Sequence, residues 1–177
     1  MLIGDTPREM ITFRRNNIVF GLRVAGIAIH EGHILLHRAE SDDFWALPGG
    51  RDELLEPAAT SLKREMKEEM NADVTVMRLL WVVENFFEYG QRCHELGLYF
   101  LIDLGSNFPH YDKTRPFFGI EDGLGSDKSL RLIFQWFPVD RLETERLFPT
   151  FLRTGLRDIP AHTQHIVHYD TDDEGQQ

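Results

Sequence analysis

The sequence predicts a mixed α/β domain in which one helix is inserted between two groups of strands. Apolar runs bounded by Gly, Pro and Asn mark strands both before and after the helix. The helix shows an apolar residue at every fourth position, at Leu62, Met66 and Met70. The predicted order is strands, helix, strands, loop, strand, helix, which lacks the regular alternation of a doubly wound fold.

The first two strands are predicted at 18–30 and 33–38, because the Glu-Gly pair between these apolar runs is typical of a tight turn. The segment 41–50 is predicted to be a loop, since it ends in LPGG, a strong signal for interrupted secondary structure. The helix then begins at Pro57, which suits a first helical position. It ends before Asn71, which suits the left-handed residue after a helix.

Two longer strands follow at 74–87 and 94–104, around an EYGQR turn. The run 105–129 is rich in Gly, Pro and Asp, and we expect it to be one long loop. A further strand at 130–139 and a short helix at 149–155 complete the predicted domain.

The totals favour one domain in a chain of 177 residues. We expect an N-terminal segment at 1–16, the domain at 17–160 and a C-terminal tail at 161–177, whose last seven residues fray. The net charge of −10 argues against broad binding of nucleic acid or an anionic membrane. A single cysteine, no apolar leader and no membrane-length apolar run predict a soluble cytoplasmic protein. Homodimerisation is left open.

The helix carries an excess of like charge. Residues 49–70 read GGRDELLEPAATSLKREMKEEM and contain six carboxylates, of which Glu65, Glu68 and Glu69 fall on one helix face. Such neighbours repel by roughly 0.2–0.5 kcal/mol per pair unless a cation lies between them. Mg²⁺ takes oxygen ligands, and a Gly-Gly turn lets a backbone carbonyl approach an ion. The alternative is a solvated helix face whose lysines pair with the glutamates.

The wider spacing resembles the signature of the Nudix hydrolases, G-x5-E-x7-R-E-U-x-E-E-x-G-U, in which U is a bulky aliphatic residue. The matching positions are Gly50, Glu56, Arg64, Glu65, Met66, Glu68 and Glu69. Asn71 and Ala72 depart from the pattern, where the family has Gly and a bulky apolar residue. The resemblance implies a Nudix-type α/β/α sandwich with a mixed β-sheet. Asp52 and Glu53, at positions that the signature leaves open, are expected to be solvated loop residues.

The resemblance also implies an activity. Nudix enzymes hydrolyse a nucleoside diphosphate linked to another moiety, with Mg²⁺ or Mn²⁺ as cofactor and water attacking phosphorus. The metal would be held by the Gly49 carbonyl, Glu65, Glu68 and Glu69. Arg64 and Glu56 would orient these glutamates. The implied partner is a small nucleotide-like diphosphate: a nucleoside triphosphate, a nucleotide sugar, ADP-ribose or a dinucleoside polyphosphate.

The general base is left open, because the family recruits it from different places. Glu68 is one candidate, and Glu121 or Asp122 in the predicted long loop is another. Solvated loop charge is the alternative for the last two residues.

Several residues outside the signature are candidates for binding substrate. Arg23 either pairs with a phosphate or faces water, and Phe117 or Phe118 in the predicted loop could stack a nucleobase. The polar residues that flank the long hairpin turn either reach a cleft or form ordinary strand ends; they are Glu84, Glu88, His94 and Glu95.

Three other functions are considered. One is a catalytically inert Nudix-fold regulator that binds nucleotides, although it would not need the glutamates. Another is an RNA 5′-end pyrophosphohydrolase, which the negative net charge disfavours. The last is an isomerase of a small allylic diphosphate, which would require a reactive cysteine, here Cys93.

Overall fold

The computed structural model describes residues 8–121 and 129–170, which form two β-sheets flanked by helical segments. The larger sheet has six strands in the order β1–β2–β7–β6–β10, with β5 paired to β2. Its strands are β1 (Thr12–Arg15), β2 (Ile18–Ile27), β5 (Gly49–Arg51), β6 (Thr75–Glu88), β7 (Arg92–Asp103) and β10 (Gln164–Tyr169). The sheet is mixed, because β2 runs parallel to β7 and β10 runs parallel to β6.

The smaller sheet is antiparallel, with the strand order β3–β4–β9–β8. Its strands are β3 (Ile29–His30), β4 (His33–Ala39), β8 (Phe117–Glu121) and β9 (Leu130–Pro138). The helical segments are α1 (Ala58–Met70), a 3-10 helix (Val139–Thr144) and α2 (Leu152–Gly155). No helix in the two described ranges is both long and apolar enough to cross a membrane.

The helical segments lie on opposite sides of the sheets. Leu62 and Met66 of α1 are fully buried in a cluster that draws residues from both sheets. Leu142 of the 3-10 helix and Leu152 of α2 are fully buried in a second cluster, which also contains residues of both sheets. The predicted α/β/α sandwich with a mixed sheet is therefore confirmed.

Helix α1 ends as the sequence predicts. Asn71 adopts the left-handed conformation, with φ 52° and ψ 33°. Its N–H bonds the Lys67 carbonyl at 3.1 Å, and the N–H of Ala72 bonds the Met66 carbonyl at 3.2 Å. These two bonds satisfy carbonyls that the end of the helix leaves open, so asparagine performs the role of the glycine in the family pattern.

The prediction of one long loop at 105–129 is wrong in part, because β8 lies inside it and pairs with β9. The sequence analysis also did not predict β1 and β10, which lie in the segments set apart as N-terminal segment and C-terminal tail. Both are edge strands whose rings stack on the sheet, Phe13 on Phe20 and Tyr169 on Phe86. The last seven residues are outside the described part of the chain.

Candidate active site

Arg64 lies at the centre of the carboxylates around α1. Its Nε and Nη2 donate to the Glu56 carboxylate at 2.9–3.2 Å. Its Nη1 donates to Glu65 at 2.7 Å and to Glu68 at 3.2 Å, while Nη2 lies 3.4 Å from Glu53. A guanidinium offers five donors in a rigid planar fork, so this one group orients several acidic side chains at once.

Asp52 and Glu53 are buried, which corrects the expectation that they are solvated loop residues. Asp52 is 3% exposed and Glu53 is 6% exposed. Glu53 accepts a hydrogen bond of 2.8 Å from Arg8 Nε, and burial raises the pKa of Asp52. The reason is the path of the backbone. The N–H of Asp52 donates to the carbonyl of Leu22 in β2, so the chain at this position runs along β2 and beneath α1.

Glu69 is the deepest of the predicted metal ligands, at 3% exposure. Burial raises its pKa well above the ordinary value, and the charge of Glu65 adds to this, while Arg23 and a backbone hydrogen bond from Gly49 oppose it. Its Oε2 has no hydrogen-bond partner among the described residues. A buried carboxylate oxygen without a partner is unfavourable unless another group, such as a cation, comes to it.

His37 of β4 is next to this oxygen, with its Nδ1 3.7 Å from Glu69 Oε2. The Nδ1 atom is also buried without a partner in the described structure. Burial and the nearby Arg23 charge lower the pKa of His37 to about 3, so the ring is neutral near pH 7. Sequence reasoning missed His37, because it reads as one polar residue in an apolar strand.

Glu65 and Glu68 are less deeply placed than Glu69. Burial raises the pKa of Glu65, whereas hydrogen bonding to Arg64 lowers it. A Cβ atom at Gly50 would overlap the Glu65 carboxylate, so this glycine brings the turn directly beneath α1. The side chain of Glu68 is 43% exposed and also contacts Arg8, at 3.0 Å.

The donor set at this end of α1 fits a hard divalent cation. Mg²⁺ typically takes one or two carboxylates and leaves its other positions to water and substrate phosphates. Glu65 and Glu69 offer two carboxylates, and the partnerless Glu69 oxygen is available to an ion. The Gly49 carbonyl lies near, although it accepts a hydrogen bond of 3.2 Å from Arg23. Within 8–121 and 129–170, no three acidic, His or Cys groups already form a metal cluster.

Glu121 ends strand β8, which corrects its expected position in a flexible loop. It lines a cavity of about 370 Å³ together with Arg23, His37 and Gly49. Its charge also contributes to the raised pKa of Glu69, after burial and the charge of Glu65. Asp122, the other residue considered as a base in this segment, lies outside the described residues.

Arg23 projects from β2 into the same region. Its Nη2 donates to the Leu47 and Gly49 carbonyls, both at 3.2 Å. These two bonds hold the guanidinium against the turn at 47–49, and whether it pairs with a phosphate stays a prediction.

The two phenylalanines predicted to bind substrate do not line this cavity. Phe117 is buried, and its ring stacks on His110 at 4.3 Å and on Phe134 at 5.0 Å. Because its ring already stacks on two neighbours, Phe117 is less open to a nucleobase than the sequence suggests, and its role in binding stays a prediction. Phe118 is exposed, but the Arg131 guanidinium covers one face at 4.0 Å.

The polar residues of the long hairpin divide between two faces of the sheet. Glu95 and Glu88 line a second cavity, of about 380 Å³, which also contains Arg23. Glu84 and His94 lie on the opposite face, where Glu84 pairs with His165 and His94 stacks on Phe86. Alternation along β7 separates His94 from Glu95, whereas Glu88 is the last residue of β6 and lines the cavity from beside the turn.

Cys93 does not resemble an activated nucleophile. Burial raises the pKa of its thiol, whereas a reactive cysteine needs a lowered one. The structure thus weighs against the isomerase alternative.

A family model for the NUDIX domain matches residues 20–154, most of the chain. The chain belongs to the NUDIX family. Its sequence is 39% identical over 62 residues to YjhB of Bacillus subtilis (strain 168), whose name proposes ADP-ribose pyrophosphatase activity. That match covers 35% of this Nudix chain and 30% of YjhB, so it spans less than a third of the relative.

Solved structures share the fold of this Nudix domain. A mutator MutT protein from Bacillus halodurans has a TM-score of 0.53 and 16% identity, over 86% of this chain and 92% of that one. An ADP-ribose pyrophosphatase from Streptococcus suis 89-1591 has a TM-score of 0.50 and 17% identity, over 85% and 98% of the two chains. At these identities the likeness establishes the fold alone.

Proposed function

We propose that this Nudix protein is a divalent-metal-dependent pyrophosphohydrolase that cleaves the diphosphate linkage of a nucleoside diphosphate derivative. The observation that carries the proposal is the buried Glu69 carboxylate, whose Oε2 has no partner among the described residues although Glu65 and Gly49 adjoin it. Membership of the family and the pyrophosphatase name of YjhB support the reaction class.

Glu65, Glu69 and the Gly49 carbonyl would hold Mg²⁺ or Mn²⁺, with Glu68 at the exposed edge of the group. A bound ion of this kind neutralises charge that develops on the diphosphate and lowers the pKa of a bound water. Arg64 and Glu56 act as positioning residues, because the guanidinium fixes Glu65 through a hydrogen bond of 2.7 Å. Their role is to keep the carboxylates in one arrangement before the substrate arrives.

Arg23 and Glu121 act on the substrate side of the glutamates. The Arg23 guanidinium uses Nη2 for two carbonyls, which leaves its other donors for a phosphate oxygen. Glu121 is exposed and faces the same cavity, so it can accept a proton from the attacking water. Glu68 remains the second candidate for this base.

The test is hydrolysis of nucleoside triphosphates, nucleotide sugars, ADP-ribose and dinucleoside polyphosphates with Mg²⁺ or with EDTA, with products identified by mass. We expect turnover of at least one class only with the cation. Glu69→Gln should lower kcat more than about a hundredfold, since loss of a partner that merely orients a metal ligand already lowers activity 10–100-fold. Glu121→Gln should lower kcat about 10²–10⁴-fold with little change in KM if Glu121 is the base.

Glu143→Gln is the matched control, because Glu143 forms an exposed ion pair with Arg157 on the far side of the domain. Equal rates in EDTA and Mg²⁺, or full activity of a folded Glu69→Gln variant, would contradict the proposal.

A further inference from the structure

The second cavity has a polar floor formed by neighbouring strands. Asn85 of β6 is the direct antiparallel partner of Glu95 of β7, so the two side chains point to the same face of the sheet. Both line the cavity, as do Arg23 and Tyr99. Arg23 lines the first cavity too and therefore joins this floor to the region of the α1 glutamates.

Asn85 is 4% exposed, and its Oδ1 has no hydrogen-bond partner among the described residues. Buried side-chain oxygens nearly always have a partner, so an unpaired one in a cavity wall points to a donor supplied by a ligand. No group in the described part of the chain hydrogen-bonds the neighbouring Glu95 carboxylate. Burial raises the pKa of Glu95, and the charges of Arg23 and Arg51, which favour its ionised form, oppose that shift.

The other buried acid of this cavity is already satisfied. Asp170 Oδ1 accepts hydrogen bonds from the Thr150 N–H at 3.0 Å and the Thr150 hydroxyl at 2.6 Å, and lies 2.8 Å from His168 Nε2. Asp43, at the rim, forms an ion pair with Arg146. Glu95 and Asn85 therefore offer a ligand two neighbouring acceptors that no described residue hydrogen-bonds.

The mouth of the cavity is aromatic. Phe44 meets Tyr89 edge-to-face at 6.0 Å and Phe148 at 5.7 Å, and all three rings line the opening. The volume of about 380 Å³ is within the range of small-molecule sites. Aromatic walls above a polar floor suit a planar, hydrogen-bonding ring, since every nucleobase has a π-face that stacks on aromatic side chains.

We propose that this cavity binds a guanine base, with Glu95 and Asn85 as its specificity-determining residues. The proposal deepens the proposed function and rests on it, since the base belongs to the nucleotide whose diphosphate the glutamates would process. The guanine ring places an N1–H beside a 2-amino group, and an ionised carboxylate accepts two adjacent donors in parallel. The second amino hydrogen is then available to Asn85 Oδ1.

The other bases fit this floor less well. Adenine and cytosine place an acceptor nitrogen beside their single amino group, and uracil flanks its N–H with two carbonyl oxygens. Each of these bases would place an acceptor against the Glu95 carboxylate, which is itself an acceptor. A base that leaves a buried polar group of the site without a hydrogen bond binds much more weakly. Hypoxanthine keeps the N1–H of guanine but lacks the 2-amino group, which makes it the matched probe.

The experiment is isothermal titration calorimetry of the full chain with GMP, IMP, AMP and UMP, none of which contains a diphosphate linkage. We expect GMP to bind about 10- to 100-fold more tightly than IMP, the range for one hydrogen bond to a charged group. AMP and UMP should bind more weakly than GMP. Equal affinity for GMP and IMP, tighter binding of another base, or no binding of GMP would overturn the proposal.

Glu95→Gln removes the carboxylate but keeps its shape, and it should reduce the preference for GMP over IMP, since only the 2-amino contact with Asn85 remains unchanged. The matched control is Glu84→Gln, since Glu84 precedes Asn85 on β6 but faces the other side of the sheet. This control should keep the wild-type preference. If Glu95→Gln fails to fold, the affinities of the wild-type protein for GMP and IMP still test the proposal.

A hydrolysis assay distinguishes failure of the guanine site from failure of the proposed function. With Mg²⁺, we expect kcat/KM for GTP to exceed that for ITP by the same factor as the affinities of GMP and IMP. Hydrolysis of both at equal rates overturns the guanine site and leaves the hydrolase. Selective GMP binding with no nucleotide hydrolysed overturns the hydrolase and leaves the base site.

Discussion

His37 and Glu69 form the most unusual pair in the domain, two buried polar side chains whose facing atoms, 3.7 Å apart, have no partner in the described structure. The shifts in their pKa values have the same first cause, burial, which disfavours the charged form of each. The two shifts have opposite directions because one group is a base and the other an acid. Stability therefore falls through His37 as the pH is lowered and through Glu69 as the pH is raised.

The pH dependence of stability reports on His37. Its pKa is about 3 in the folded protein, against an ordinary value of 6.5, so below pH 6.5 the unfolded chain binds a proton that the folded protein does not. The contribution of the neutral His37 side chain to the free energy of unfolding is fully present above pH 6.5 and is lost as the pH falls toward 3. Relative to His37→Gln, we expect wild-type stability to fall by about 1.4 kcal/mol per pH unit below 6.5. Urea unfolding between pH 7 and 4.5 measures this difference, and parallel curves would contradict it.

Arg64 is the second residue whose removal should have a large effect. Arg64→Ala leaves Glu56 and Glu65 partly buried and close together without their cation, so we expect a loss of about 2–4 kcal/mol in metal-free buffer. Arg64→Lys keeps the charge but not the planar fork of donors, so its stability should lie between that of the wild type and that of Arg64→Ala. Urea unfolding in EDTA is the measurement.

Lys67→Ala provides the control on the same helix, because Lys67 pairs with Asp73 at an exposed site and should contribute about 1 kcal/mol or less. Equal losses for Arg64→Ala and Lys67→Ala would show that the Arg64 network is no stronger than a surface ion pair.

At the scale of elements, the contact between α1 and β8 places Glu121 near the glutamates. Gly119 makes this contact possible, since a Cβ there would overlap the backbone carbonyl of Glu69. Backbone cannot rotate away as a side chain can, so a larger residue must push the strand from the helix. This contact explains why the short strand lies where sequence reasoning expected a loop.

Gly119→Ala should therefore lower stability by about 1–3 kcal/mol, the usual range for overpacking, and should reduce activity because it displaces Glu121. Gly21→Ala is the control: it lies in strand β2, and a Cβ there would meet its nearest neighbours only at 3.9 Å. Thermal unfolding and the hydrolysis assay together measure both effects. A fully stable and active Gly119→Ala variant would show that α1 and β8 separate without consequence.

At the scale of the whole molecule, the buried glutamate that the proposed function requires lowers the stability of the metal-free protein. Burial raises the pKa of Glu69, so above pH 4.5 the unfolded chain releases a proton that the folded protein retains. Metal-free stability therefore decreases as pH rises above 4.5, through the ionisation of Glu69. A bound cation would remove this cost.

Glu69→Gln should then be more stable than the wild type at pH 8 in EDTA, on the order of 1–3 kcal/mol, because it buries no ionisable group at this position. Mg²⁺ at a hundred times its Kd should stabilise the wild type by about 2.7 kcal/mol and leave the variant unchanged. Thermal unfolding with and without Mg²⁺ measures both differences. A wild type that Mg²⁺ does not stabilise would contradict the assignment of the metal ligands.

Much of the fold could be predicted because its signals are local. The four-residue spacing of Leu62, Met66 and Met70 identifies α1, and the tendency of asparagine to adopt a left-handed conformation identifies its end. The long hairpin strands follow from their apolar runs and the turn between them. Strands β1, β8 and β10 could not be predicted, because each is short and is stabilised by partners distant in the sequence.

The sequence by itself determined the family and the identity of the acidic residues, because Arg64, Glu65, Glu68 and Glu69 lie in consecutive turns of one helix and Glu56 lies just before it. Only the tertiary structure decided which atoms face one another: His37 beside Glu69, Glu121 across from α1, and Asn85 beside Glu95 in a cavity. The physical reason is that strand pairing and burial join residues far apart in the chain. Those contacts leave the oxygens of Glu69 and Asn85 without a partner among the residues that the structure describes, and these are the positions where a ligand is expected.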